Sequence, residues 1–330
     1  MIFKCKNCGG NAIYSPEKKK MICPFCDSEE SYERKDKETS YGLEVCPECG
    51  GTIPVEDYDS ATRCPYCDNY LIFNPRVEGE YLPKFLIPFE LGKEHCKELI
   101  RNKFKKFTFA PMDFLSEARL DSMQGVYVPF WFYDYRTNAL YEGEGTKVRS
   151  WTSGNYRYTE TSYYAVVREM DISFEKMPAD ASIKMPDQIM DLMEPYDYGK
   201  LVPFEPKYLS GFYSEYYNMP SEEIEGRARA KMEGDAEHIL RGSISGYSSL
   251  IRNSQSIRVL ERHADYGLMP VWKYIYQYKN VDYPFYVNGE TGKIIGTAPL
   301  SKAKVLGYSA TLFAVLTGIM AAFNGILSLL

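Results

Sequence analysis

The sequence predicts an α+β protein with two N-terminal four-cysteine zinc ribbons, an aromatic-rich α+β body and one C-terminal transmembrane helix. Three observations predict it. A four-cysteine frame occurs twice in the first 70 residues, residues 305–330 carry no charge, and strand-like and helix-like stretches alternate between the two. The expected organisation is ribbon 1 over residues 1–40, ribbon 2 over 41–78, the body over 79–300 and the membrane anchor over 301–330.

Cys5, Cys8, Cys23 and Cys26 recur 41 positions later as Cys46, Cys49, Cys64 and Cys67, each set reading C-x2-C-x14-C-x2-C. The flanks recur too. Cys8-Gly9-Gly10 matches Cys49-Gly50-Gly51, and Cys23-Pro24-Phe25-Cys26-Asp27 matches Cys64-Pro65-Tyr66-Cys67-Asp68. Two thiolate pairs facing each other make a closed tetrahedral sulfur site, the geometry of structural zinc. The glycine after each second cysteine lets the chain fold back, so that backbone N–H groups point at sulfur. A ribbon this small has no core of its own, so two zinc ions are expected to supply much of its folding energy. Iron in a rubredoxin-like site suits the same donors. Disulfides are the third reading, opposed by the paired frames and the expected reducing compartment. The ninth cysteine, Cys96, falls on the apolar stripe of a predicted helix and reads as a small buried hydrophobe.

Residues 30–43 read as a polar linker, and residues 74–84, with Pro75, Gly79 and Pro83, as the next boundary. A first helix is expected over 92–107, with Cys96, Leu99, Ile100, Phe104 and Phe107 inward. Its Lys97, Arg101 and Lys105 make a basic face, read as a solvated face or as a membrane-resting one. Strands are expected over 126–135, 139–151 and 156–174, and a short helix over 186–193. A second long helix follows from Ser221, its expected N-cap, with Ile224, Ala228, Met232, Ala236 and Ile239 inward. Further strands are expected near 256–262, 271–278 and 284–287, and residues 288–292 read as a tight turn. Pro-Phe-Glu occurs at 88–90 and 203–205, and Pro-x-Trp at 129–131 and 270–272. These phrases suggest two repeats, 79–200 and 201–300. Glu90 and Glu205 are then expected to cap backbone N–H groups, and Trp131 and Trp272 to anchor the sheets.

As a helix, residues 305–330 would be about 39 Å long, against about 30 Å of hydrocarbon. Lys293, Lys302 and Lys304 precede the run and nothing basic follows it. The positive-inside rule then places the body in the cytoplasm, on a tail-anchored single-pass protein of the cell membrane. Ala310, Ala314, Gly318 and Ala322 recur every four residues. That spacing lets two helices approach closely and suggests homo-oligomerisation.

The formal net charge is −6 and the sequence pI about 5.4, with acidic residues dense in the ribbons. This argues against nucleic acid as a partner, since phosphate binding needs a basic footprint. Lys18-Lys19-Lys20, with Lys4 and Lys6, is the one patch that could serve. Catalytic patterns are missing. The three histidines sit in no metal or nucleophile frame, and no phosphate loop, G-x-S-x-G or G-x-G-x-x-G occurs. A protein that is not an enzyme is expected, with a non-motif site in the body as the other possibility.

Several phrases resemble a bacterial family of zinc-ribbon membrane proteins. They include Cys46-Pro47-Glu48-Cys49-Gly50-Gly51, Gly125-Val126-Tyr127-Val128-Pro129-Phe130-Trp131, Tyr208-Leu209-Ser210-Gly211-Phe212, Met269-Pro270-Val271-Trp272 and Asn288-Gly289-Glu290-Thr291-Gly292-Lys293. The family is labelled TFIIB-type zinc ribbon-containing, or helicase-like after primosomal protein N′. The helicase label lacks its phosphate loop here. The resemblance implies a cytoplasm-facing adaptor for phage-shock protein A-like and SPFH-like proteins in envelope stress, with no partner-binding residue to carry over.

Overall fold

The computed structural model describes residues 1–36 and 45–327, with side chains to residue 322. The expected ribbon boundary at residue 40 and the end of the anchor lie outside the described residues.

Ribbon 1 contains β1 (Ile2–Cys5), β2 (Ile13–Ser15), β3 (Lys20–Ile22) and β4 (Tyr32–Lys35), paired as two small antiparallel sheets, β1 with β4 and β2 with β3. Ribbon 2 contains the hairpin β5 (Asp59–Arg63) and β6 (Tyr70–Ile72). The body begins with β7 (Phe85–Leu86), α1 (Lys93–Phe104) and α2 (Glu117–Leu120). The long hairpin β8 (Gln124–Ser153) and β9 (Tyr156–Asp180) follows, then α3 (Asp187–Met193), β10 (Val202–Pro203) and β11 (Tyr213–Glu215). Last come α4 (Ser221–Gly242), β12 (Ser249–Tyr278), β13 (Val281–Asn288), β14 (Ile294–Ile295) and α5 (Lys302–Leu327).

β8 and β12 are antiparallel neighbours from Thr146/Ser249 to Gln124/Lys273, and β9 flanks β8 on the other side. At about 3.3 Å per residue, each 30-residue strand is about 100 Å long. The strands expected over 126–135 and 139–151 are one strand. Arg136, Thr137 and Asn138 continue the ladder on both sides, and the Asn138 amide donates to Glu169 and Asp171 at 3.2 and 3.0 Å. Alternation along β8 buries both faces near its start. Val126, Val128, Phe130 and Phe132 join Met185, Met190 and Met193 on one face. Tyr127 joins Phe89, Phe212 and Trp272 on the other, with Phe89 stacked on Phe212 at 4.1 Å. Ile224, Ala228, Met232 and Ala236 of α4 then cover Tyr133 and Tyr135. Beyond α4 the three strands run on as an arm, and Trp151, Tyr156, Tyr158 and Tyr163 lie exposed near its tip.

The register is similar around β8 and β12. Parallel β11 reaches β8 at Val126 and Tyr127, and parallel β7 reaches β12 at Gly267 and Leu268. The hairpin partner begins at Phe130 in the first case and at Val271 in the second. The two Pro-Phe-Glu phrases, in contrast, do not take matching places, because the strands they adjoin pair with each other, Val202 with Leu86 and Pro203 with Phe85.

Four local expectations are corrected. Pro220, not Ser221, is the N-cap of α4, and no side chain caps it. Lys97 is buried, where its ammonium meets Glu94 and Glu117 at 2.7 and 2.8 Å and also Asp121. Burial alone would lower its pKa, but the three carboxylates outweigh it and raise it. Arg101 pairs with Glu117, so α1 carries no free basic stripe of the expected kind. Among the described residues Glu90 and Glu205 cap no backbone N–H; they pair with Lys19 and Lys207 at 2.6 and 2.8 Å. Cys96 is buried as expected. The indole of Trp272 donates to Leu91 O at 2.9 Å and that of half-buried Trp131 to Met219 O at 3.0 Å.

One helix among the described residues is long and apolar enough to cross a membrane. No residue of the stretch Lys302–Ala322 of α5 is buried in the protein.

Candidate metal centres

Each cysteine frame folds into two facing knuckles. In ribbon 1, Cys5 N donates to Gly10 O at 2.8 Å and Gly9 N to Cys5 O at 2.9 Å. In ribbon 2, Cys46 N donates to Gly51 O at 2.8 Å and Gly50 N to Cys46 O at 2.9 Å. The turn requires positive φ after the second cysteine of every knuckle. Gly9 and Gly50 adopt +74° and +75°, and Asp27 and Asp68 adopt +55° and +58°. Aspartate tolerates this region better than most residues, which explains why the repeated phrase ends Cys-Asp.

The knuckles bring four sulfurs together in each ribbon. Cys5 and Cys26 Sγ are 3.6 Å apart, and Cys8 and Cys23 Sγ 3.5 Å. Cys46 to Cys67 and Cys49 to Cys64 are each 3.7 Å. Within each set all four sulfurs lie within 4.8 Å of one another. A tetrahedron with arms of about 2.3 Å has edges of about 3.8 Å, so both clusters are sized for a tetrahedral metal ion such as zinc or iron. The environment favours thiolate at some of the cysteines more than at others. At Cys8 the Gly10 N–H is outweighed by thiol neighbours, which push it up, and burial pushes Cys67 and Cys46 up, whereas Cys26 and Cys64 are lowered. The hydroxyl and backbone N–H of Ser28 hold the Cys26 thiol at about 6. Burial would raise Cys64, but the backbone N–H groups of Cys67 and Tyr66 outweigh it and hold it at about 7. Each site has four protein ligands and no fifth donor among the described residues, so it has the closed form of a structural centre.

An aromatic ring covers each site from the second knuckle. A Cβ at Gly10 would lie 2.6 Å from Phe25 Cδ2, and one at Gly51 2.5 Å from Tyr66 Cδ2. Both rings are nevertheless solvent-facing, at 75% and 69% exposure. The sequence carried this signal in the repeated Cys-Pro-aromatic-Cys phrase, but only packing shows that the ring closes over glycine and faces outward.

The ribbons are docked on the body. Ser210 Oγ donates to Ala12 O at 2.7 Å, Tyr14 N donates to Ser210 O at 2.8 Å, and Phe3, Tyr14 and Met21 join the main core. Ile2 of ribbon 1 packs among Cys46, Ile53, Cys64 and Leu71 of ribbon 2. The basic tip is neutralised. Lys18 and Lys20 pair with Glu29, Lys19 with Glu90, and Lys4 with Glu48.

A cavity of about 600 Å³ lies between ribbon 2 and the body. Lys184 meets Glu56 at 2.7 Å, Asp59 at 2.9 Å and Glu215 at 3.8 Å there. Burial raises the Glu215 carboxyl, whose Oε2 accepts from Ser182 Oγ at 2.6 Å. Lys184 thus occupies the carboxylates. Ala310, Ala314, Gly318 and Ala322 are all exposed along α5.

No family model and no solved structure matches the chain. A protein of Bacillus subtilis strain 168 described as the uncharacterized protein YdjG is 32% identical over 314 residues, covering 93% of this chain and 92% of that protein.

Proposed function

This chain belongs to the same family as YdjG, and from that premise we propose that it is a zinc-ribbon adaptor anchored in the cell membrane. The observation that carries this reading is the pairing of two closed four-cysteine sites with outward-facing aromatic rings, Phe25 and Tyr66, in a chain whose α5 has no buried residue from Lys302 to Ala322. A closed site offers a metal no vacancy for chemistry, so its contribution is shape. Exposed aromatics on a rigid scaffold suit protein contact, where they supply large area at low entropic cost. In this reading zinc fills both sites, α5 crosses the bilayer with the body in the cytoplasm, and the ribbons recruit protein partners. Phage-shock protein A-like and SPFH-like proteins are the partner classes the family resemblance implies. The stripe from Ala310 to Ala322 would pair two anchors. The matching registers around β8 and β12 support descent of the body from a duplicated unit. Nucleic acid stands as the other binding reading. It is disfavoured because the lysines it would use, Lys6 excepted, are already ion-paired.

The test is affinity capture of the full-length, detergent-extracted protein with identification of co-purifying proteins. Wild type is compared with Cys46→Ser/Cys64→Ser and with Phe25→Ala/Tyr66→Ala, which spares every metal ligand. The reading expects membrane-stress or membrane-remodelling proteins with wild type and their loss with both variants. Retention of the same partners by both variants contradicts it.

A further inference from the structure

The base of α5 is flanked by a loop with a distinct character. Residues 105–112 leave the end of α1 and return beside the first turns of α5. Ser301 N donates to Phe109 O at 2.8 Å, and the Phe109 ring meets the Tyr308 ring edge-on at 5.5 Å. Tyr308 is six residues beyond Lys302, so the loop reaches about 9 Å along the helix axis. It therefore lies level with the start of the uncharged run. At that level it exposes side chains that water does not favour. Met112 is 91% exposed and Phe107 more than half exposed, and Leu300, just before α5, is exposed as well. Interleaved with them are Lys105, Lys106, Lys302 and Lys304, and none of the four has a carboxylate partner among the described residues. The nearby acids are committed elsewhere: Asp113 to Arg119 and Tyr276, at 3.2 and 2.7 Å, and Glu117 to Lys97 and Arg101. A cavity of about 220 Å³, lined by Phe107, Met112, Leu115, Lys105 and Lys304, separates loop from helix.

We propose that this loop and the first turn of α5 form a second membrane contact that binds anionic phospholipid. Lys105, Lys106, Lys302 and Lys304 hold headgroup phosphates, while Phe107 and Met112 enter the layer beneath them. Exposed apolar side chains ringed by lysines that have no carboxylate partner among the described residues, level with an uncharged helix, match the two layers of an anionic membrane surface in order. The contact fixes which side of the body faces the membrane and so directs the rest of it away. The inference rests on the reading that α5 spans the bilayer, and the test separates the two.

Full-length protein is reconstituted into phosphatidylcholine vesicles with and without phosphatidylglycerol, using lipids brominated at the upper acyl positions. Met112→Trp and, separately, Phe313→Trp on α5 add a fluorophore, and wild-type emission is subtracted. The expected result is loss of most of the added emission for both variants in phosphatidylglycerol vesicles. Removing each lysine should weaken loop insertion about fivefold, so that Lys105→Glu/Lys106→Glu restores Met112→Trp emission and leaves Phe313→Trp quenched. If Phe313→Trp is quenched and Met112→Trp is not, the loop contact is refuted and the anchor stands. If neither is quenched, the anchor and the loop contact fall together. Equal quenching of Met112→Trp without phosphatidylglycerol, or after the double substitution, overturns the headgroup assignment.

Discussion

Ribbon 1 and ribbon 2 share one cysteine frame, one set of knuckle turns and one aromatic cover, yet they hold to the body by different forces. Ribbon 2 is joined through the backbone. β5 pairs with β11, which pairs with β8, so its hairpin ends the ten-stranded sheet of the body. Ribbon 1 keeps its strands in two small sheets of its own and is held by side chains and a few loop hydrogen bonds, Tyr14 and Ser210 chief among them. A metal frame therefore fixes a local fold without fixing how that fold is used. Ladder pairing makes the second copy part of the sheet, and packing makes the first a docked cap.

The contrast breaks most visibly at the metal ligands. Cys64→Ser should release one metal and cost several kcal/mol, since structural zinc supplies about 10–16 kcal/mol to small ribbons. Because Cys64 lies at the end of β5 and within the shared cluster with Ile2, hydrogen exchange should lose protection along β11 as well. Cys23→Ser should also release one metal but leave β11 protected, with loss confined to 1–36. Equal spreading from both substitutions would erase the distinction. A step smaller, Ser210→Ala leaves the Ala12 carbonyl unsatisfied and should cost about 1–3 kcal/mol in denaturant unfolding. It should speed proteolysis within ribbon 1 and not within ribbon 2. The smallest effect sharpens the comparison by being equal on both sides. Gly9→Ala and Gly50→Ala each force a side chain into the left-handed region, with no other atom within 4 Å of the new Cβ. Each should cost about 1–2 kcal/mol, and a marked difference between them would mean that the two knuckles are not equivalent.

The two four-cysteine clusters and α5 were legible in the sequence because each is encoded locally, by spacing in one case and by an uninterrupted apolar run in the other. The α4 stripe was legible for the same reason from Ile224 to Ala236, but its expected last member, Ile239, is exposed and Leu240 is buried in its place. What was hidden depends on partners far away in the chain. Arg136-Thr137-Asn138 reads as a break between strands, but β9 and β12 on either side satisfy its backbone and extend β8 through it. Lys97 reads as one of a solvated row, because Glu117 and Asp121, which bury its charge, arrive from the next helix. The Pro-Phe-Glu phrases suggested equivalent places in two repeats, whereas the correspondence in register lies between β7 and β11 instead.

The most direct test of the account is metal analysis of the purified full-length protein combined with X-ray absorption at the metal edge, for wild type, Cys23→Ser and Cys64→Ser. The account predicts two zinc ions per chain in wild type, each with four sulfurs at about 2.3 Å, and one in either variant. Iron in the sites, fewer than two metals in wild type, or nitrogen or oxygen donors in the first coordination shell would contradict it.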